Sequence, residues 1–169
     1  MKEPNIRLRA LELEDLGFLY HIENDDRLWE LGVSNVPYSR RVLLDYITSA
    51  SADIYVDNQV RLIVENELSE QVGILDLTDF DPRHHRAELG IVIKKEFQGQ
   101  GYAKASVSRL LQYARNILHL QQIYAIVGIR NQKAAKMLQS VGFEGNNILK
   151  QWLCGPVGYE DAMFFQYFL

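Results

Sequence analysis

The strongest constraint on how this chain folds is a change of hydrophobic period between residues 87 and 129. Residues 87–93, Ala-Glu-Leu-Gly-Ile-Val-Ile, end in a run too apolar to face water on one side, as a buried strand does. A polar loop with two glycines follows. Ala103, Val107, Leu110, Leu111, Ala114, Ile117 and Leu118 then recur at helical spacing, and residues 123–129 read as another buried strand. Strand, loop, helix and strand in that order form a crossover unit, which sets the two strands parallel or nearly so.

The rest of the chain reads as antiparallel strands with flanking helices. Residues 6–10 alternate as a first strand, and Glu14-Asp15 opens an amphipathic helix through Leu16, Leu19 and Tyr20. Ser39 is the expected N-cap of a helix over 40–50. Strands over 60–65 and 71–80 flank the polar turn 67–70, and Asp81-Pro82-Arg83 turns the chain again. A short helix over 132–141 has Asn131 as N-cap and Gly142 where a left-handed C-cap belongs. Strands over 148–154 and 162–169 close the chain, and the last is apolar enough to belong inside a sheet. With no repeat, low-complexity tract or linker, residues 1–169 are expected to form a single α+β (mixed α/β) domain.

Composition excludes several classes of function. Eighteen basic against 22 acidic side chains give a net charge of −4, so there is no electrostatic footprint for nucleic acid. One cysteine, Cys154, excludes an internal disulfide and a cysteine-only zinc site, and is expected to be a small core residue. HExxH, CxxC, GxSxG and GxxxxGK[ST] are all absent, so no metal is expected and the usual serine-hydrolase and P-loop readings fall away. The start lacks an apolar signal core and no long apolar span occurs; a cytoplasmic protein without membrane attachment is expected.

The loop between the buried strand and the helix carries the chemistry. Gly99 and Gly101 remove side chains that would hold a ligand away from the backbone. Loop amides and the unpaired N–H groups of the helix's first turn can then converge on an anion such as a diphosphate, helped by the helix dipole. Lys94, Lys95 and Lys104 can meet further phosphate charge at the rim. On spacing alone, a solvent-exposed turn in which glycine solves a steric problem explains the pattern equally well. A dinucleotide loop fits worse, because the third glycine of GxGxxG is missing.

Gln98-Gly99-Gln100-Gly101-Tyr102-Ala103 resembles the Q/R-x-x-G-x-G/A coenzyme A motif of the GNAT superfamily of N-acetyltransferases. Asn131 and Ala134, followed by Gly142-Phe143, resemble that superfamily's second signature. Ile6-Arg7-Leu8-Arg9 and Gly158-Tyr159-Glu160-Asp161 look like the branch that holds spermidine/diamine and ribosomal-protein N-acetyltransferases. The resemblance implies a central, mostly antiparallel sheet in which one near-parallel strand pair splays apart, leaving a V-shaped slot where amine and thioester meet. It implies acetyl-CoA as acyl donor, with the backbone of Ile91, Val92 and Ile93 pairing with the pantetheine arm. The amides of Gln98, Gly99, Gln100, Gly101, Tyr102 and Ala103 would hold the pyrophosphate. Asn131 would hydrogen-bond the coenzyme, and the following helix, with Ala134, Lys136 and Leu138, would line its thioester end.

A primary amine has a pKa near ~10.4, so freeing its lone pair at neutral pH costs about 4.6 kcal/mol and calls for a base. Glu88, in the apolar strand just before the coenzyme-pairing residues, is the expected one; its alternative is a strand-end carboxylate facing water or pairing with Arg86. His84 and His85, in the preceding turn, are candidates for a proton relay or for plain solvated residues. Many relatives carry a tyrosine that protonates the departing thiolate four residues before the glycine of G-F; here that position is Leu138. Because a thiol pKa is near ~8.5, loss of that acid need not abolish transfer. Tyr102, Tyr124, Tyr159 or a water are the possible substitutes.

The acceptor side falls to the first two helices and the loop between them. Glu23, Asp25, Asp26 and Glu30 cluster there beside Trp29 and Tyr38, and Asp76, Asp79 and Asp81 extend the acidity towards Glu88. Carboxylates beside aromatic faces suit a polycation or a peptide amine, while a solvated acidic helix end is the plainer alternative. Trp29, Glu30 and Tyr38 are the acceptor-binding candidates. The expected function is acetyl transfer from acetyl-CoA to a small amine or a protein N-terminus in a ternary complex, with a homodimer possible. The rival is a coenzyme A-binding sensor or interaction module with weak catalysis, motivated by Leu138. A nucleotide-binding oxidoreductase is disfavoured, since no acidic ribose partner stands about 20 residues past the loop.

Overall fold

A computed structural model describes residues 4–29, 36–51, 53–155 and 158–169. Its frame is one seven-stranded sheet in the order β1-β2-β3-β4-β5-β7-β6. The strands are β1 (Ile6–Ala10), β2 (Val60–Asn66), β3 (Gln71–Asp81), β4 (Arg86–Ile93), β5 (Gln122–Gly128), β6 (Glu144–Gly155) and β7 (Gly158–Phe168). Every neighbouring pair is antiparallel except β4 and β5. That exception follows from the crossover through helix α5 (Tyr102–Asn116), since a parallel pair needs a long connection between its strands. The last strand is interior, as its apolar composition requires, and β6 is the edge.

Alternation along the strands sorts the core into two layers. On one face, Val107, Leu110, Leu111 and Ala114 of α5 pack with Leu75, Leu77, Ala87, Leu89, Ile123 and Phe165. Helix α6 (Gln132–Ser140) joins this layer through Leu138. On the other face, Phe18 and Leu19 of α1 (Leu16–Glu23) and Leu43 and Ile47 of α3 (Arg40–Ser49) cover Ile63 and Ile74. The short helices α2 (Asp26–Trp29) and α4 (Ile54–Asp57) have no counterpart in the sequence reading, because one turn is too short to show a period. Ser39 caps α3 by accepting from the Val42 amide, and Asn131 caps α6 by accepting from the Ala134 amide. Gly142 takes φ 100, the left-handed ending expected of it. The final strands are longer than their apolar runs suggest, and Cys154 is exposed on the edge strand rather than buried in the core.

Beside β1, the carboxylate of Asp15, 1% exposed, receives both terminal nitrogens of Arg9 at 2.6 and 2.8 Å, the Glu12 amide at 2.8 Å and the Gln71 side chain. Arg9 Nε also meets Glu65 at 2.6 Å. Burial pushes the Asp15 pKa up, but the hydrogen bonds from Arg9 and Glu12 outweigh it, and the carboxyl sits below its ordinary range. Its stabilising contribution is therefore present above the unfolded-state pKa and lost as pH falls through the lower folded value. Removing one member of a buried pair strands the other, so Asp15→Ala is expected to cost about 3–5 kcal/mol. Chemical denaturation at neutral pH checks this, and the deficit should shrink in acid.

Candidate active site

The apex of the site is where β4 and β5 part. They pair at Arg86↔Gln122, Ala87↔Ile123 and Glu88↔Tyr124, and no further, although β4 runs on to Ile93 and β5 to Gly128. From Leu89 onward the β5-facing edge of β4 is open, so Ile91, Val92 and Ile93 lie along an edge able to pair with an extended ligand arm. Each residue of the final bridge presents a titratable group at the mouth of the gap. Glu88 titrates above the usual carboxylate range, first because it is half-buried, then because Asp79 adds like charge and a hydrogen bond. The Tyr124 hydroxyl is raised by burial and then by the charges of Glu88 and Asp79, so it stays protonated, and its ring stacks on Phe164.

Beyond the open edge the chain makes a single tight turn over Lys95–Phe97 and enters the glycine loop. Gly99 and Gly101 take φ 76 and 91, in the left-handed region glycine adopts without strain. The Gln98 and Gln100 side chains tie the loop back on itself, donating to the carbonyls of Ile93 at 2.9 Å and Glu96 at 2.7 Å. Phe97 and Tyr102 meet edge to face at 5.6 Å and close the loop onto the helix. Gly101 caps α5 without a side-chain hydrogen bond. Among the described residues, the N–H groups of residues 99 to 104 make no well-formed hydrogen bond to a protein acceptor. The Gln98 backbone amide donates to the Lys95 carbonyl at 3.3 Å. Neighbouring amides at the positive end of a 15-residue helix fit an anion with several oxygens, and a coenzyme diphosphate is one.

Other expected residues are placed differently. Asn131 commits its side-chain oxygen to capping, which leaves its NH2 group as the side-chain donor. Ala134 is half-buried and Lys136 exposed. Leu138, 2% exposed, lies in the core layer with Phe143 and Val107. Of the three tyrosines, Tyr124 stands at the apex, Tyr102 at the start of α5, and Tyr159 is 70% exposed at the far end of the β6–β7 hairpin. His84 and His85 are exposed in the β3–β4 turn, with His85 Nδ1 3.2 Å from the His119 carbonyl.

On the acceptor side, a cleft of about 750 Å³ separates the α1–α2 segment from Val92 to Glu96 of β4 and its loop. Glu30 and the side chain of Trp29 fall outside the described residues. The Tyr38 backbone is bound to the Asn24 side chain in both directions, at 2.7 and 3.1 Å. Not all the acidity is available. Arg61 bridges Glu23 at 2.6 Å and Asp76 at 2.7 Å, and Arg27 holds Asp25 at 2.6 Å. Arg61 is distant in sequence from both partners, on β2, so the pairing with Glu23 and Asp76 leaves no local signal. The described residues contain no group of three or more side chains able to hold a metal.

The strand pair thus splits beside a carboxylate, and past the split lies a run of backbone amides suited to an anion. Residues 5–144 match the acetyltransferase (GNAT) domain family. The chain is 30% identical over 159 residues to a spermidine N(1)-acetyltransferase of Vibrio cholerae, covering 93% of this chain and 89% of that protein. It is 31% identical over 146 residues to the putative ribosomal N-acetyltransferase YdaF of Bacillus subtilis, covering 82% and 78%. A crystal structure of the Vibrio cholerae spermidine enzyme in complex with CoA and spermine superposes with a TM-score of 0.84 at 28% identity, covering 96% of this chain and 95% of that one. The chain belongs to the GNAT family and is an acetyl-CoA-dependent N-acetyltransferase.

Proposed function

We propose that this enzyme transfers the acetyl group directly to a primary amine of a small polyamine or related amine, in a ternary complex, with Glu88 as general base. The observation that carries the reading is the register: the last β4–β5 bridge places Glu88 at the mouth of the gap whose far side opens on the amide cradle. Acetyl-CoA supplies the thioester. The N–H groups of residues 99 to 104 bind its diphosphate, and the open edge of β4 orients the arm that leads to the gap. Glu88 takes a proton from the acceptor ammonium, which frees the lone pair at the mouth of the slot. Tyr124, protonated and one strand away, is the donor placed to meet the departing thiolate where Leu138 cannot.

A polyamine is favoured over a peptide N-terminus by the names of the relatives and by the charge of the acceptor face. At the mouth of the gap Asp79 adds like charge to Glu88, and the two carboxylates together suit an ammonium. Residues 130 to 140 favour one other reading, a coenzyme-binding module with weak catalysis, because Leu138 provides no acid. An assay with acetyl-CoA against spermidine, spermine, short diamines and N-terminal peptides separates them. Turnover of the polyamines above the peptides is expected. Coenzyme binding without turnover of any amine would establish the module instead.

A further inference from the structure

β3 and β4 pair residue for residue from Gly73↔Ile93 to Thr78↔Glu88, and the register then slips so that Asp81 faces Arg86. Asp79 and Phe80 thus stand opposite Ala87 alone, which is a β-bulge. Without the extra residue, position 79 would continue the row of Leu75 and Leu77 into the α5 layer. With it, Phe80 takes that place in the core, 6% exposed, and Asp79 turns to the face that carries Glu88. Asp79 holds φ 48, a left-handed conformation that strains most non-glycine residues and that Asp and Asn adopt most readily. The bulge therefore places a carboxylate beside Glu88 where a regular strand would have placed an apolar side chain.

The charged groups around Glu88 can be counted by element. From β3 come Asp79 and, one same-face position along, Asp76, which Arg61 neutralises. From β4 itself comes Arg86, held by Asp81 at 3.1 Å. From β5 comes the Tyr124 hydroxyl. Among the described residues, Asp79 is the carboxylate facing Glu88 that has no cation of its own.

We propose that Asp79 is a positioning residue for the transfer, holding one proton jointly with Glu88 so that Glu88 is a stronger base than a lone carboxylate in its place. This rests on the reading of Glu88 as base. The acceptor nitrogen gives up two protons as its C–N bond forms and the thioester C–S bond breaks. The first passes to the Asp79–Glu88 pair and on to solvent; the second goes to the thiolate, which leaves with the C–S electron pair. The raised titration of Glu88, caused first by burial and then by Asp79, agrees with the pairing.

The test is the pH profile of kcat/KM for wild type, Asp79→Asn, Asp79→Glu and Glu88→Gln. Asparagine keeps the left-handed bulge and removes the charge. In Asp79→Asn the acid limb is expected to move to lower pH while the plateau falls, and Asp79→Glu, which keeps the charge, returns the limb towards its wild-type position. If the Asp79→Asn limb stays at its wild-type position while Glu88→Gln abolishes the limb, Glu88 remains the base and the pairing is wrong. If Glu88→Gln changes neither limb nor plateau, the base assignment fails and takes the pairing with it. Carboxyl-carbon NMR titration of the wild-type enzyme gives a reading that needs no variant. Glu88 is expected to titrate above the ordinary glutamate range with a second inflection shared with Asp79; a single ordinary glutamate curve overturns the proposal.

Discussion

Gly101→Val is expected to weaken acetyl-CoA binding at least a hundredfold, about 2.7 kcal/mol or more, while leaving the sheet folded. Two effects combine. Gly101 sits at φ 91, where a β-branched side chain is strained, and a Cβ there would come 3.1 Å from the Pro4 ring. The loop must then rotate out of the conformation that points the N–H groups of residues 99 to 104 the same way. Each lost charge-assisted hydrogen bond costs about 1.5–3 kcal/mol, so misdirecting two is enough. Gly99 is the informative partner: it has φ 76 but open space around its missing side chain. Gly99→Ala should weaken binding through backbone strain alone, and so by less than Gly101→Val. Calorimetry with acetyl-CoA, alongside circular dichroism for the fold, measures both; wild-type affinity in Gly101→Val would show that the diphosphate is held elsewhere.

Glu88→Gln is expected to lower kcat/KM for the amine by about 10²–10⁴ at the plateau, the usual worth of a placed proton acceptor. Glutamine keeps the size and position of the side chain at the last β4–β5 bridge, so coenzyme affinity should not change. The wild-type profile should fall as pH drops through the Glu88 pKa, because the base works ionised. That limb should lie above the ordinary carboxylate range, since burial and Asp79 both disfavour the charged form. A variant that retains wild-type kcat/KM and its acid limb would remove Glu88 from the chemistry.

Much of this was legible in the sequence because it depends on local patterns. The apolar run at 87–93, the glycine loop and the helical repeat from Ala103 fix the crossover unit, and parallel pairing of β4 and β5 follows from connection length. Caps at Ser39, Asn131 and Gly142 are local chemistry and appear where expected. What the sequence concealed depends on partners far along the chain. Glu23 and Asp76 read as free acidity, but Arg61 arrives from another strand and holds both. The pitch of α6, which turns Leu138 into the core layer, is likewise set by distant contacts. The pairing of Asp79 with Glu88 left a signal that is clear in retrospect. Leu75 and Leu77 alternate and Phe80 breaks the parity, which marks an inserted residue at the end of β3.

The most direct measurement is a titration of the ¹⁵N-labelled enzyme with coenzyme A, followed amide by amide. The N–H resonances of residues 99 to 104 should move together and saturate at one dissociation constant, and ADP should reproduce their shifts without those along Ile91 to Ile93. Stationary resonances at 99 to 104, while coenzyme A binds and shifts other parts of the chain, would contradict the assignment of this loop as the diphosphate site.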